Sequence, residues 1–509
     1  MSSSQDPEKD GAVSFVEEKK SSGVIVEELT SGESGPTRFQ SLTKFLQRWG
    51  VETHGIEPIP LERRTDTRLY QMFFVWFSAN FNILAFGTGS VGPVFYHLGL
   101  RDALLVILVA TIITSAMPAY FSIFGPKLGT RAMVHARYSW GFYGAMIPAI
   151  LNVFTMQSFL ILNTIIGGQT LASVSSHLNA TLGIVIISIL TLIVMFLGYR
   201  VLHWYEAVVW LPSLVAFLVM LGVGAKKIES VPTPPPNAAA ILSFSSIVVV
   251  YIIAWSPVTP DYGVYHADAS SWRIFTYVYL GLVIGSIPSF MLGAAFAAGA
   301  SSVPSWQEGL GNGSNVGGLV GAILAEAGGF GKFLTVMVAL TVPSACAPTM
   351  YSFGTSFMTV WPLLARVPRY LYGFVATAVL IPVGVIGATR FYNTFVDLLS
   401  IIGYWCAPYN VIIIADHAFI RRHNWTTYDV VNWNDPRRLP LGAAAVAAFA
   451  CGIGMVVPCI SQVWYIGPIA KMGTGDIGLY TGAAVALVVY LPLRVMERRW
   501  EKRVGRGER

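Results

Sequence analysis

Two short stretches, GTGSVGP at residues 87–93 and WSPVTP at residues 255–260, decide the fold of this chain. Each stretch places helix-breaking and polar residues in the middle of an apolar segment rather than at its end. Proline lacks a backbone donor and glycine weakens a helix, so we expect both stretches to leave backbone polar groups unpaired at membrane depth. Such groups survive there only where protein or a water-lined cavity satisfies them. One stretch alone would indicate a kink, whereas two in corresponding positions predict a binding site.

The composition shows what surrounds these stretches. Of the 509 residues, 54% are hydrophobic and only 12% are charged, which indicates lipid as the solvent. Apolar segments of about 20 residues, enough to cross a hydrocarbon core of roughly 30 Å, recur along the chain. The sequence therefore predicts an all-α integral membrane protein with a twelve-helix domain over residues 66–496. The predicted spans are 70–97, 102–125, 139–173, 180–198, 204–224, 238–262, 274–299, 332–359, 369–388, 391–419, 440–460 and 476–495.

The positions of the two stretches predict an internal repeat. They lie in the first and sixth spans, and this separation is typical of two inverted five-helix repeats with a substrate site between them. The last two spans would then lie outside the repeats. The connection at residues 301–331 contains Trp306 and many glycines and is long for a compact bundle. Two interpretations of it stay open, an outer lid and a flexible linker.

The basic residues indicate the orientation in the membrane. The net charge is +6, and most Lys and Arg residues fall in loops on one side, so the positive-inside pattern predicts that both termini are cytoplasmic. Residues 1–65 are predicted to be a disordered cytoplasmic tail, without a signal peptide, and residues 497–509 a basic cytoplasmic C-terminus. The basic residues are not clustered on one soluble face of the protein. We therefore expect the lipid bilayer, and no nucleic acid, as a partner.

Five strings are distributed in order along the chain: WFSAN at 76–80, DYGVY at 261–265, PTMY at 348–351, IIGYW at 401–405 and GDIG at 475–478. Together they resemble the fungal purine-cytosine permeases of the nucleobase cation symporter family, from about Gly55 to Arg499. The resemblance implies a leucine-transporter-like fold, with two inverted five-helix repeats plus two extra transmembrane helices. It also implies uptake of a purine or pyrimidine nucleobase across the plasma membrane, usually with protons in fungi.

The resemblance carries over to particular residues of the site. Fungal members place a Trp and, four residues later, an Asn on the third helix, and these positions are Phe159 and Asn163 here. The spacing puts both on one helix face, and the amide suits the edge of a flat ring. The family's aromatic residue on the sixth helix corresponds to Trp255, which is followed by Ser256. We expect the substrate to stack between Trp255 and Phe159. The alternatives are an interhelical hydrogen bond for Asn163 and an interfacial aromatic belt for Trp255.

The eighth helix departs from the family pattern. Cytosine and purine carriers usually show Asn-Asn-x-Pro-Asn, whereas this chain has Ala345, Cys346 and Thr349 at the three Asn positions. In the first helix a family Ser is Ala85. A site that pairs with a ring edge discriminates by its hydrogen-bond pattern, so these changes predict an altered cargo. The alternative cargo is another small N-heterocycle, such as a vitamin-like pyridine, a nucleoside or a secondary-metabolite precursor.

Acidic residues at membrane depth are candidates for proton coupling. They are Glu206, which matches an acidic position of the family, Asp261 and Asp397. For Glu206 a salt bridge to Arg200 is equally open. The expected coupling ion is H⁺, and no other cofactor and no metal are expected, since the four cysteines lack zinc-ligand spacing.

Two other classes of function are less favoured. A sensor would need a longer structured cytoplasmic extension than the N-terminal tail offers. A membrane enzyme would need paired metal ligands or a nucleophile beside a base, and neither pattern occurs.

Overall fold

The computed structural model describes residues 55–196, 199–228, 234–311, 313–361, 363–367 and 369–506, with the backbone alone at 195–196, 199–207, 347, 366 and 369–370. The architecture is almost entirely helical. The helices are α1 Tyr70–Asn80, α2 Ile83–Phe95, α3 Leu100–Thr114, α4 Ala116–Phe121, α5 Phe124–Leu128, α6 Ala132–His135, α7 Arg137–Gly144, α8 Met146–Ala172, α9 Ala180–Phe196, α10 Tyr199–Ile228, α11 Ala238–Ile253, α12 Ser271–Gly299, α13 Pro304–Leu310, α14 Val316–Ala325, α15 Gly328–Val360, α16 Arg369–Ala388, α17 Phe391–Ala415, α18 Ala443–Cys459 and α19 Gly478–Arg503. A small hairpin joins β1 Ser461–Gln462 to β2 Tyr465–Ile466.

These helices match the predicted spans. Within the described residues, eight helical segments are long and apolar enough to cross a membrane, or nine if α1 and α2 form one bent span. The other three predicted spans correspond to the shorter apolar helices α9, α11 and α18. The prediction of an all-α, multi-pass membrane protein is confirmed.

The packing of the helices shows two related halves. The first half contains α1 with α2, α3, α8, α9 and α10, and the second contains α11, α12, α15, α16 and α17. Helix α12 packs on α1 and α2, and its counterpart α3 packs on α11. In the same way α10 packs on α15, and its counterpart α17 packs on α8. This exchange of partners is what two repeats of five spans produce, and α18 and α19 pack outside them on α17.

The first interruption lies earlier than the sequence predicts. The helix breaks at residues 81–82, where α1 and α2 meet at an angle of 50°. Asn82 is extended and its side-chain oxygen accepts from the Ala85 amide at 2.9 Å, so it caps the start of α2. The prediction of a break at residues 87–93 is therefore wrong, because that stretch is helical within α2. Pro93 lies in the last turn of α2, so the helix ends two residues later at Phe95.

The glycines of that stretch serve close packing instead. A Cβ atom at Gly89 would lie 1.8 Å from the carbonyl oxygen of Phe290 on α12. The contact is reciprocal, because a Cβ atom at Gly293 of α12 would lie 1.8 Å from the carbonyl oxygen of Phe86. Glycine at these positions lets the two helix backbones touch, as is common between membrane helices.

The second interruption falls where the sequence predicts it. Helix α11 ends at Ile253, and the chain continues through turns to a single 3-10 turn at Thr259–Tyr262. Asn410 on α17 donates to the Ile253 carbonyl at 3.1 Å, and the Cys406 thiol donates to the same oxygen at 3.4 Å. The Ser256 amide donates to the same oxygen at 3.0 Å, so a turn and two side chains together satisfy the carbonyl that loses its α-helical partner at Pro257.

The N-terminal segment (residues 55–69) is ordered, although the sequence predicts a disordered tail up to residue 65. Arg64 donates to the carbonyl oxygens of Ile59, Pro126 and Lys127 at 2.9–3.1 Å. The main chain of Ile59 also bonds to Gly129 at 2.9 Å. The segment is therefore fixed to the end of α5, and the predicted tail boundary is too late.

The described residues of the connection, 301–311 and 313–331, are folded, which argues against a flexible linker, and an outer lid stays a prediction. Trp306 of α13 is fully buried, meets the ring of Phe296 on α12 edge-on at 5.4 Å and donates to Glu326 at 2.7 Å. Glu326 also pairs with Lys227 of α10 at 2.6 Å. Gln169 of α8 donates to the Ser314 carbonyl at 3.1 Å, so the connection is held down on the bundle.

A buried ion cluster joins α17 to α19. Asp416 pairs with Arg421 at 2.7 Å and with Arg494 at 3.4 Å, and Arg494 in turn pairs with Glu497 and Glu501. Because α19 continues to Arg503, the first residues of the predicted basic C-terminus belong to this helix.

Candidate functional site

The site lies where the interrupted sixth span faces α8. Trp255, two residues beyond the end of α11, stacks on Phe159 of α8 with ring centroids 5.6 Å apart and planes inclined by 16°. Both side chains are buried. We call Trp255 and Phe159 the aromatic pair. The sequence brings these rings together because the α-helix ends before residue 254, which leaves Trp255 in turn backbone directed at α8.

The aromatic pair differs from the predicted arrangement in one respect. A centroid distance of 5.6 Å is that of two rings in direct contact. In this conformation no heterocycle fits between Trp255 and Phe159, so the predicted sandwich requires one ring to move. The pair is instead a continuous aromatic surface.

Further aromatic rings enclose the pair. Tyr251 meets the Phe159 ring edge-on at 6.0 Å, and Trp76 of α1 meets the Trp255 ring edge-on at 5.4 Å. Edge-to-face contacts of this kind contribute about 0.5–1.5 kcal/mol each beyond their buried area. The surface is therefore fixed from α1, α8 and α11 together.

Two polar groups beside the pair lack partners. Asn163, one turn along α8 from Phe159, donates from Nδ2 to the Phe159 carbonyl at 2.9 Å. Its Oδ1 atom is buried and has no hydrogen-bond partner among the described residues, and the same holds for the Ser256 hydroxyl. Buried polar atoms are rarely left unpaired, so an exception requires an explanation. An N–H group on a ligand would supply Asn163 with its missing donor.

Thr349 lies at the level of the aromatic pair. Helices α8 and α15 run antiparallel, with Val342 against Gly167 near one end and Asn152 donating to Ser356 near the other. Thr349 is seven residues from both Val342 and Ser356, so it lies on the same face of α15, midway between them. Its hydroxyl donates to the Ala345 carbonyl at 3.1 Å.

Two further substituted positions, Ala85 and Cys346, have local roles. Ala85 is fully buried in the first turn of α2, where its amide is capped by Asn82. Cys346 is fully buried in α15, and its thiol contacts the Thr191 hydroxyl on α9. Cys346 therefore lies in the packing of α9 on α15, and a contact with ligand stays a prediction.

The candidate acids are not gathered at the aromatic pair. Asp261 accepts from the Ala132 amide at 2.7 Å and from the Thr355 hydroxyl at 3.2 Å, so it joins the 3-10 turn to α6 and α15. Asp397 lies near the other end of the bundle, close to Trp464, and its Oδ1 atom has no hydrogen-bond partner among the described residues. The side chain of Glu206 lies outside the described residues.

Sequence reasoning missed two residues that hold the site. Asn80 accepts a hydrogen bond from the Trp255 indole at 3.2 Å, and Asn410 holds the carbonyl at the end of α11. Asn80 stands in the string WFSAN, and a polar residue at the end of an apolar helix was the available signal. Asn410 has no comparable signal, because its role depends on how α17 packs on α11.

The chemistry of the site suits a flat polar molecule. Among the described residues no group of three or more His, Cys, Asp or Glu side chains could hold a metal ion. The site offers aromatic faces, an amide and hydroxyls. Such groups recognise the faces and edges of a heterocycle through stacking and hydrogen bonds.

Comparison with known proteins places the chain in context. Residues 58–480 match the family model described as permease for cytosine/purines, uracil, thiamine, allantoin. The chain is similar to the purine-cytosine permease fcyB of Emericella nidulans, with 34% identity over 92% of this chain and 93% of the relative. It is more distantly similar to the vitamin B6 transporter TPN1 of Saccharomyces cerevisiae, with 26% identity over 90% of this chain and 89% of the relative.

A solved structure shares the fold. The structure of MHP1, a nucleobase-cation-symport-1 family transporter in a closed conformation with bromovinylhydantoin bound, aligns with a TM-score of 0.66 and 18% identity. The alignment covers 88% of this chain and 96% of MHP1. This likeness agrees with the two repeats of five spans seen in the packing of the helices.

Proposed function

The chain belongs to the family of permeases for cytosine/purines, uracil, thiamine and allantoin, and from this premise we propose that it imports a purine or pyrimidine nucleobase together with a proton. The members of this family are described as permeases, so transport, rather than enzymatic catalysis or sensing, is the proposed activity. Cytosine, adenine and hypoxanthine represent the class of cargo. The proposed location is the plasma membrane, with both termini cytoplasmic.

The observation that supports this cargo is the aromatic pair with Asn163 beside it. The two rings of the aromatic pair are buried, with centroids 5.6 Å apart, and beside them the Asn163 amide oxygen has no hydrogen-bond partner among the described residues. A flat ring that carries N–H groups on its edge would complement both features. Stacking on an aromatic side chain contributes about 1–3 kcal/mol to the binding of a base. One hydrogen bond from the base to the Asn163 amide oxygen would fix the orientation of the stacked ring.

The proposed mechanism is alternating access. Helices α1, α2 and α11 rock against α8, α9, α15 and α16, and the ligand sits at the interface between the two groups. The aromatic pair is closed in the present conformation, so binding requires Trp255 or Phe159 to swing out.

A second cargo is supported by one observation. Thr349, at the level of the aromatic pair, stands where purine and cytosine carriers usually show Asn, and Ala345 and Cys346 replace two further amides. A site with fewer amides pairs less well with the several donors and acceptors of cytosine or guanine. The likeness to the vitamin B6 transporter TPN1 supports a pyridine-type heterocycle as this alternative.

Uptake measurements test the cargo. Radiolabelled cytosine, adenine, hypoxanthine, uracil and pyridoxine would be offered to permease-null fungal cells that express the chain. We expect saturable uptake of at least one nucleobase and competition by the others. Saturable uptake of pyridoxine alone would favour the alternative cargo, and no uptake of any compound, with the chain at the cell surface, would contradict the proposal.

Proton coupling needs a separate test. The proposed proton carriers are Glu206, Asp261 and Asp397, of which Asp397 has one carboxylate oxygen without a partner in the described part of the chain. We expect uptake to rise as external pH falls and to stop when an uncoupler is added. Uptake that ignores the uncoupler and depends on Na⁺ would refute this part.

A further inference from the structure

A hydrogen bond joins the two interrupted spans at the aromatic pair. The Trp255 indole Nε1 donates to Asn80 Oδ1 at 3.2 Å, and Asn80 is the last residue of α1. We infer that Asn80 is a positioning residue. It fixes the Trp255 ring on which the heterocycle stacks, and it does not itself contact the heterocycle. This inference rests on the proposed function.

The orientation of the Asn80 amide is determined by its surroundings. Its Nδ2 atom donates to the Trp76 carbonyl at 2.8 Å, one helical turn earlier. The side chain is fully buried. A flipped amide would place Nδ2 against the indole N–H and Oδ1 against the Trp76 carbonyl, so it would lose both hydrogen bonds. The oxygen therefore points at Trp255.

The Trp255 ring depends on this contact more than a helical side chain would. Trp255 lies in turns between α11 and the 3-10 turn, where hydrogen bonds to Ile252, Val258 and Thr259 hold its main chain but not its ring. One face is stacked on Phe159 and one edge meets Trp76, yet neither contact fixes rotation in the ring plane. The hydrogen bond from Nε1 fixes that rotation.

The bond also couples the two interruptions. Asn80 ends α1 directly before the break at residues 81–82, and Trp255 lies directly after α11. A movement of α1 therefore displaces Asn80, the hydrogen-bond partner of the indole. Conversely, a movement of the Trp255 ring pulls on Asn80 at the end of α1. This gives ligand binding at the aromatic surface a direct connection to the first span.

The test is a double-mutant cycle on transport. Asn80→Leu, Trp255→Phe and the double variant would be assayed for KM and kcat with the cargo that the wild-type chain transports. We expect Asn80→Leu to raise KM about tenfold, the effect of losing one buried hydrogen bond, with a smaller change in kcat. In the Trp255→Phe background, which has no indole N–H, the same substitution should change KM less than about twofold.

Two further variants separate positioning from folding. Asn80→Ser is too short to reach Trp255, but its hydroxyl can still bond to the Trp76 carbonyl one turn back, so it should fold and still raise KM. Gln157→Leu is the matched control, because it removes a hydrogen bond of 3.0 Å from α8 to the Ala376 carbonyl, away from the pair. Its KM should equal that of the wild type.

The outcomes distinguish the inference from the proposed function. If Asn80→Leu and Asn80→Ser leave KM unchanged, or if the effects of Asn80→Leu and Trp255→Phe on KM multiply, the inference is overturned while wild-type uptake stands. If the wild-type chain at the cell surface transports no heterocycle, the proposed function fails and the inference falls with it.

Discussion

At the scale of single residues, the sequence indicates which aromatic side chains lie at the sixth-span break but not how their rings are arranged. Trp255 and Phe159 lie side by side, since one follows the sixth-span break and the other lies on the face of α8 that also carries Asn163, and their contact with a ligand stays a prediction. Their direct stacking was not predictable, because ring separation depends on how the spans pack. The polar residue Asn80 at the end of an apolar helix was a signal, but its partner was hidden, since a hydrogen bond between residues 175 positions apart leaves no local pattern.

Thr349→Asn tests the residue that distinguishes this site. Thr349 lies on the face of α15 that packs on α8, level with the aromatic pair, and Asn would restore a family amide there. We expect uptake of cytosine or adenine to improve relative to pyridoxine by about tenfold, the effect of one added hydrogen bond of about 1.4 kcal/mol. The measurement is competition by each unlabelled compound, and an unchanged ranking of competitors would show that Thr349 does not face the ligand.

At the scale of elements, the spans were predictable and one interruption was not. Apolar segments of about 20 residues locate all twelve spans. Pro257 and Pro260 mark the end of α11. In the first span the glycines and Pro93 predict a break at residues 87–93, whereas the helix breaks at residues 81–82. Sequence cannot distinguish a glycine that breaks a helix from one that admits a neighbouring backbone, because the neighbour Phe290 is 201 residues from Gly89 in the chain.

Gly89→Ala tests the reassigned role of these glycines. The added Cβ would lie 1.8 Å from the Phe290 carbonyl oxygen, so α2 and α12 must separate. We expect a clear loss of thermal stability of the purified protein, on the order of 2–3 kcal/mol. Gly454→Ala in α18 is the matched control, since nothing lies within 4 Å of its Cβ position. Alanine there should be neutral or stabilising by about 0.5–1 kcal/mol. Equal stability of both variants would contradict the backbone contact.

At the scale of the whole molecule, a buried aromatic cluster joins helices α5 and α6 to the loop after α17. His135 of α6 stacks on Phe124 with centroids 4.0 Å apart, and it also lies beside Tyr428 from the loop after α17. Burial, with smaller contributions from His417 and Arg421, lowers the pKa of His135 to about 3, while Asp416 opposes the shift. His135 is therefore neutral in the folded protein at physiological pH.

This lowered pKa predicts how stability depends on pH. The unfolded chain binds a proton at His135 near pH 6.5, whereas the folded chain does so only near pH 3. The stability that neutral His135 contributes is thus complete above pH 6.5 and is lost as the pH falls, by on the order of 2 kcal/mol at pH 5. His135→Phe keeps the stack without a titrating group. Thermal unfolding at pH 7.5 and pH 5 should show a smaller loss in this variant, and parallel losses would contradict the buried neutral histidine.

The central claim is that the chain is a permease whose cargo binds at the aromatic pair. The most direct measurement is uptake of the transported heterocycle by Trp255→Ala, with Trp272→Ala as control, because Trp272 is 71% exposed at the start of α12. With equal amounts at the cell surface, we predict that Trp255→Ala raises KM by about tenfold or more, as expected for the loss of one stacking contact. Trp272→Ala should transport as the wild type does. Unchanged KM in Trp255→Ala would contradict the account.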